Sequence, residues 1–285
     1  MIKEVSNPAV TALTAKERTT TRPQSLYVHY FFVVMASLFV AIAVTGFIPS
    51  YQAMRGGTLI IHWFVHIHGA LMMTWLLVFF TQALLEARGN LKFHRRLGLF
   101  ALALGVFVWI SMGIVSLRVL IANHPPEDHF LFDLLLMEFY AMTVFGLFFT
   151  RGILARKKDT ASHKRFLFLA TLVLLQAAID RIHWLPMFGM DYPYVFFIYL
   201  DTLIVPLIIY DFLTLRRIHR ATLFGMAFII VVQLTVSAVW GSTSWHRFWY
   251  KLTKPLMEET VNTKHHSSPT LTSVLQSEKT TYKKS

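Results

Sequence analysis

The chain has 285 residues, 55% of them hydrophobic and 15% charged, with mean hydropathy +0.52, which excludes an ordinary soluble domain and marks an integral membrane protein. A formal net charge of +12 does not point to nucleic acid, because Lys and Arg sit in short blocks between apolar runs, where they set topology and meet lipid phosphates. The absence of cysteine excludes disulfides, thiolate metal centres and cysteine nucleophiles.

Residues 1–25 form a polar, Thr-rich arm without the apolar core of a cleavable signal, so the first apolar run is expected to stay as a span. Seven spans follow at about 26–48, 59–85, 97–120, 130–153, 166–185, 191–215 and 222–240. Pro49 and Ser50 are expected to end the first, Pro125 and Pro126 break the chain after the third, and Pro186 stops the fifth. Asp191, Tyr192 and Pro193 read as the start of the sixth, and Pro206 should disturb the turn that holds Thr202. Segment 241–257 mixes Trp245, Phe248, Trp249 and Tyr250 with His246, Arg247 and Lys251 and reads as interfacial, while 258–285 reads as a disordered tail. The expected fold is an all-α polytopic membrane bundle over 26–240.

Basic residues alternate between the two sides. Lys plus Arg number four in the N-terminal arm and four, six and three in the turns after spans two, four and six, against one each at Arg55, Arg118 and Arg181. The positive-inside rule then puts the amino terminus in the cytoplasm and the carboxyl terminus outside, with the basic tail as the one dissenting segment. The same turns repeat a pattern. His94, Arg95 and Arg96, then His163, Lys164 and Arg165, then His219 and Arg220 each open a helix on the basic side, which suggests one leading helix followed by three hairpins of the same sense. A plainer role for His94, His163 and His219 is to reach lipid head groups.

Ionisable residues gather at one depth. At about 1.5 Å per residue, His66, Glu138 and Asp201 lie on the order of 10–15 Å in from the side opposite the basic turns, with Asp180 and His183 nearby. Such groups must face the bundle interior and find partners. His62 and His66 are four apart and share a helix face, a spacing that lets two imidazoles take one metal. His68 lies about 200° round from His66 at 100° per residue and is expected to point elsewhere. Asp180 could orient His183 as a carboxylate partner behind a ligand. Arg118 and Arg181 are candidate counter-ions, and Asp133 and Asp211, near helix ends, are expected to be solvated.

A His-x-His near one helix end, a Trp and Gln82 further along, and His94 to Gly98 opening the next helix resemble an uncharacterised group of bacterial polytopic inner-membrane proteins. The resemblance covers roughly residues 59–183 and implies a bacterial inner-membrane helix bundle, with no activity to transfer. Other families fit less well. A retinal protein needs a lysine inside its last span, and no predicted span here contains one. The progestin-receptor and alkaline-ceramidase group carries its His-x-x-x-His in the final helix, whereas the pair here is in the second. Di-haem membrane cytochromes need histidine pairs at both faces, and the basic-side histidines sit at turns.

Three functions are consistent with these residues. In the first, His62, His66 and His183 hold a metal ion (Zn, Cu or Fe) or haem b, with Glu138 and Asp180 as the catalytic proton carriers. In the second, Glu138, Asp180 and Asp201 serve a proton-coupled small-molecule transporter. In the third, the bundle is a non-catalytic partner of another membrane protein or of lipid.

Overall fold

The computed structural model describes residues 26–58, 61–122, 129–186 and 193–267. The arm 1–25, the break at 123–128, the expected helix start at 191–192 and the tail from 268 lie outside the described residues. The chain forms α1 (Leu26–Arg55), α2 (Trp63–Ala87), α3 (Leu91–Ala122), α4 (His129–Ala155), α5 (Thr160–Val173), α6 (Gln176–Ile179), α7 (Tyr194–Thr202), α8 (Val205–Leu215), α9 (Arg220–Val239) and α10 (Thr243–Ser267). No strand occurs among the described residues. Seven helical stretches are long and apolar enough to cross a membrane: α1, α2, α3, α4, α5 with α6, α7 with α8, and α9. The all-α polytopic bundle expected from the sequence is the fold observed.

Several boundaries differ from the expected ones, each for a local reason. α1 continues through Pro49 to Arg55. A proline removes one ladder bond, here to the Thr45 carbonyl, and hydrocarbon offers the backbone no alternative to helix. The stop comes instead at Gly57, at φ +74°, where Gly57 N donates to Met54 O and Thr58 N to Ala53 O. Gly89, at φ +68°, closes α2 in the same way, with Asn90 N donating to Leu85 O at 2.8 Å. Both are glycine-dependent C-terminal caps that satisfy otherwise orphaned carbonyls. α5 starts six residues before the expected edge because Asp159 caps it, accepting from Ser162 N at 2.9 Å and Ser162 Oγ at 2.6 Å. α10 runs on to Ser267, past the point near 258 where the tail was expected to begin.

The α5 and α6 span is the hub. In its apolar window 72% of residues are buried, against 17% for α2. α4 and α9 pack along α5, α1 packs on α6, α2 and α8, and α3 joins α2 to α4. Aromatic pairs tie α1 to the hub, with Phe39 5.1 Å and Phe31 6.1 Å from Phe168, and Phe31 also stacks on Tyr210 of α8 at 4.5 Å. Gly46 of α1 sits directly against the Ala178 backbone, so that any Cβ would collide with that carbonyl. Small residues let helix backbones approach in this way where no hydrophobic force drives association. The first two expected hairpins, α2 with α3 and α4 with α5, pack along their length; α9 instead packs on α4 and α5.

Two spans are pinched. Between α5 and α6 the backbone tightens, with Leu175 N donating to Leu172 O. Between α7 and α8, Ile204 N donates to Asp201 O at 2.9 Å, three residues back, and Pro206 lacks the N–H that would bond the Thr202 carbonyl. The disturbance expected around Thr202 is therefore present as a tight turn.

Candidate functional site

The histidine trio lies at the end of the bundle opposite the basic turns. His62 precedes α2, makes no side-chain cap and stacks on Phe64 with ring centroids 5.3 Å apart. His62, His66 and His183 are exposed. His68, by contrast, is half-buried, and its Nδ1 lies 3.0 Å from Ser111 Oγ on α3. Ser111 already donates to Val108 O at 2.8 Å, so the imidazole Nδ1–H is the donor in that contact. Among the described residues no three His, Cys, Asp or Glu side chains come together to hold a metal ion. The ligand set of His62, His66 and His183 expected from spacing does not fit a closed metal or haem site, because three exposed side chains supply neither convergence nor a dry shell.

The carboxylates lie deeper and do find partners. Glu138 of α4 is within electrostatic reach of Arg181 and hydrogen-bonding reach of Ser116 on α3. Arg181 donates to Ala177 O and lies 5.0 Å from the Phe47 ring of α1, so one guanidinium ties α1, α4 and the end of α6. Arg118, the other expected counter-ion, is exposed. Asp180, one residue beyond the fifth span, is half-buried; burial pushes its carboxyl above the usual range, with Arg181 and His183 pulling it partly back. Asp201, at the pinched joint of the sixth span, accepts from Gln233 Nε2 of α9 at 3.0 Å. The same Gln233 nitrogen is 3.5 Å from the Tyr140 hydroxyl of α4, and both Gln233 and Tyr140 are buried. Asp201, Gln233 and Tyr140 thus join three helices through one polar contact.

The basic end holds a second network. Arg165 of α5 donates through Nε to Asp211 Oδ1 of α8 at 2.8 Å, and its Nη2 pairs with the same oxygen. Asp211 Oδ2 accepts from Thr222 Oγ1 at 2.6 Å and from His219 N at 2.9 Å. Asp211 is fully buried, which corrects the expectation that it is solvated. Asp133 is corrected likewise: it is buried at the opposite end, accepting from Gly241 N at 3.1 Å and His246 Nε2 at 2.8 Å. A buried carboxylate is tolerable when donors meet its lone pairs; Asp211 has donors on both oxygens, while the two donors to Asp133 converge on Oδ1.

The three repeated histidines act as clasps. His94 Nδ1 lies 3.2 Å from Gln82 O and His163 Nδ1 2.7 Å from Gly152 O, each reaching the last turns of the preceding helix. A carbonyl only accepts, so both rings carry the proton on Nδ1. His219 does the reverse: its Nδ1 accepts from Ala221 N at 3.1 Å and caps α9. Burial and Arg165 hold the His219 imidazole below its ordinary value. Lys164, the neighbour of His163, pairs with Glu86 of α2 at 2.7 Å.

Comparison with protein-family models, curated proteins and solved structures found no match. Sequence reasoning missed Arg165, Tyr140, Gln233 and Thr222. One usable signal was present. Arg165 lies five residues into its helix and Asp211 four before the end of its own, so antiparallel neighbours would place them level.

Proposed function

We propose that the chain is a proton-coupled carrier of a small solute, with Asp201 and Glu138 as the proton-bearing carboxylates. The observation that carries this reading is the placement of Asp201: a carboxylate inside an apolar bundle, at a proline-pinched joint, bonded by the neutral Gln233 amide, which in turn contacts the Tyr140 hydroxyl. Ionisable groups so placed mark ion and proton pathways, and interrupted helices carry binding sites in secondary transporters. The sequence alone offered no inner half of a pathway. The Arg165, Asp211 and Thr222 network supports one, as a seal at the basic end whose Asp211 lies on the same span as Asp201.

With this reading goes an orientation in which the basic turns face the cytoplasm of a bacterium, resting on the positive-inside rule. A bound metal ion or haem, suggested by the spacing of His62 and His66, is not favoured by their exposed side chains, and metal analysis with an absorption spectrum of the purified protein tests it.

The test is charge movement in proteoliposomes on a solid-supported membrane, with a panel of small organic anions, cations and neutral solutes. The expected result is a current that follows the pH gradient for one solute class, lost in Asp201→Asn and reduced at least tenfold in Glu138→Gln. Transport with an unchanged pH dependence in both variants, or no proton-coupled current from any class, overturns the reading.

A further inference from the structure

α10 follows the seventh span by three residues, so it begins at the membrane boundary. Its inner face is fastened to α4. His246 and Gly241 bind Asp133, Trp245 Nε1 donates to Phe132 O at 2.7 Å, and Trp249 stacks on Phe139 with centroids 5.5 Å apart. Phe132 and Phe139 belong to the apolar span Phe130–Ala155. α10 is therefore seated beside the first turns of that span, at the depth of the head groups and upper acyl chains, rather than out in water.

The uncovered sides of α10 are sorted by chemistry. At 100° per residue the docked face is centred on His246, Trp249 and Thr253, which are buried. Phe248 and Leu252, four apart and 57% and 54% exposed, form a strip on one flank. Arg247 and Lys251, also four apart and exposed, form a strip on the other. A helix held sideways at the boundary, with protein against one face, has hydrocarbon below and phosphates above, and these two strips match those two surroundings.

We propose that α10 is a surface-lying lipid-binding helix that inserts Phe248 and Leu252 among acyl chains and holds anionic phospholipid head groups with Arg247 and Lys251. The basic strip beside the apolar one selects lipid over a second copy of this chain, which would cover the apolar flank and leave the charges without partners.

The chain has no cysteine, so single substitutions report cleanly on one site. The full chain with Phe248→Cys, Leu252→Cys or Arg247→Cys is spin-labelled and placed in phosphatidylcholine vesicles with and without phosphatidylglycerol. Labels at 248 and 252 should be accessible to oxygen and shielded from a polar nickel relaxant, with the reverse at 247. Phosphatidylglycerol should slow the label at 252, and Arg247→Gln with Lys251→Gln should abolish that slowing. Positions 247, 248, 251 and 252 are not covered by the rest of the protein, so every variant is expected to keep the fold. Equal nickel access at 247, 248 and 252, indifference to phosphatidylglycerol, or spin–spin broadening from a second copy would each overturn the proposal.

Discussion

Asp211 shows what a single buried charge controls. Its two oxygens take four donors from Arg165, Thr222 and His219. Removing the charge strands the Arg165 guanidinium in a dry setting, so Asp211→Asn should cost about 3 kcal/mol, while Thr222→Val, which removes one neutral donor, should cost about 1 kcal/mol. Thermal unfolding of the detergent-purified protein reads both, and equal effects would remove the charge argument. His219 gives a pH dependence. Asp211 and Asp159 face it with negative charge and Arg165 and Arg217 with positive, and burial leads in depressing its value. The unfolded chain therefore binds the extra proton first, and stability falls as pH drops through about 6.5, levelling below the depressed folded value. His219→Asn keeps a capping acceptor and should flatten the melting temperature between pH 7.5 and 5.5; an unchanged slope would assign that dependence to other groups. These two residues also show how far sequence reading reaches. The repeated histidines stood out as a pattern, yet their bonds to Gln82 O and Gly152 O depend on which carbonyls the preceding helix leaves within reach. Asp211 was placed in solvent because its distance from a helix end is visible in sequence and its neighbours on α5 and α9 are not.

The elements obey membrane physics more than local propensity. Proline at 49 did not end α1 and glycine at 57 did, because lipid leaves a helix no other way to satisfy its backbone while a left-handed cap still can. Gly89→Ala should therefore cost about 1 kcal/mol through its positive φ alone. Gly46→Leu belongs to another class of defect. It puts a side chain against the Ala178 backbone and should lever α1 from α6, seen as a lower melting temperature and faster protease cleavage of the 55–62 connection. A wild-type melting curve for Gly46→Leu would mean that the close approach carries no stability. Span number and helix type were legible from apolar run length, and the disturbance near Thr202 from Pro206. The pinch between α5 and α6 was not, since Leu174 and Leu175 carry no breaker signal.

At the scale of the molecule, polar groups divide between two ends of a hub-and-surround bundle: Glu138, Arg181 and Asp201 towards one, Arg165 and Asp211 at the other. Sidedness is testable without reference to activity. Single cysteines in the 88–90 and 156–158 turns should be protected from an impermeant maleimide in intact cells, and one in the 240–242 turn should react. The opposite labelling pattern would reverse the orientation and with it the assignment of the Arg165 seal to the inner side. The chain alone determined that this is a seven-span helical membrane protein with alternating basic turns, because hydrocarbon thickness and charge transfer act on contiguous residues and leave their record in run length and block charge. Only the tertiary structure decided which polar residues meet. It turned His68 inward and His66 outward, left the expected ligand histidines exposed without gathering them into a three-ligand group, and joined Asp201 to Gln233 and Arg165 to Asp211. Those pairings depend on helix rotation and neighbour order around α5, which no local stretch of sequence encodes.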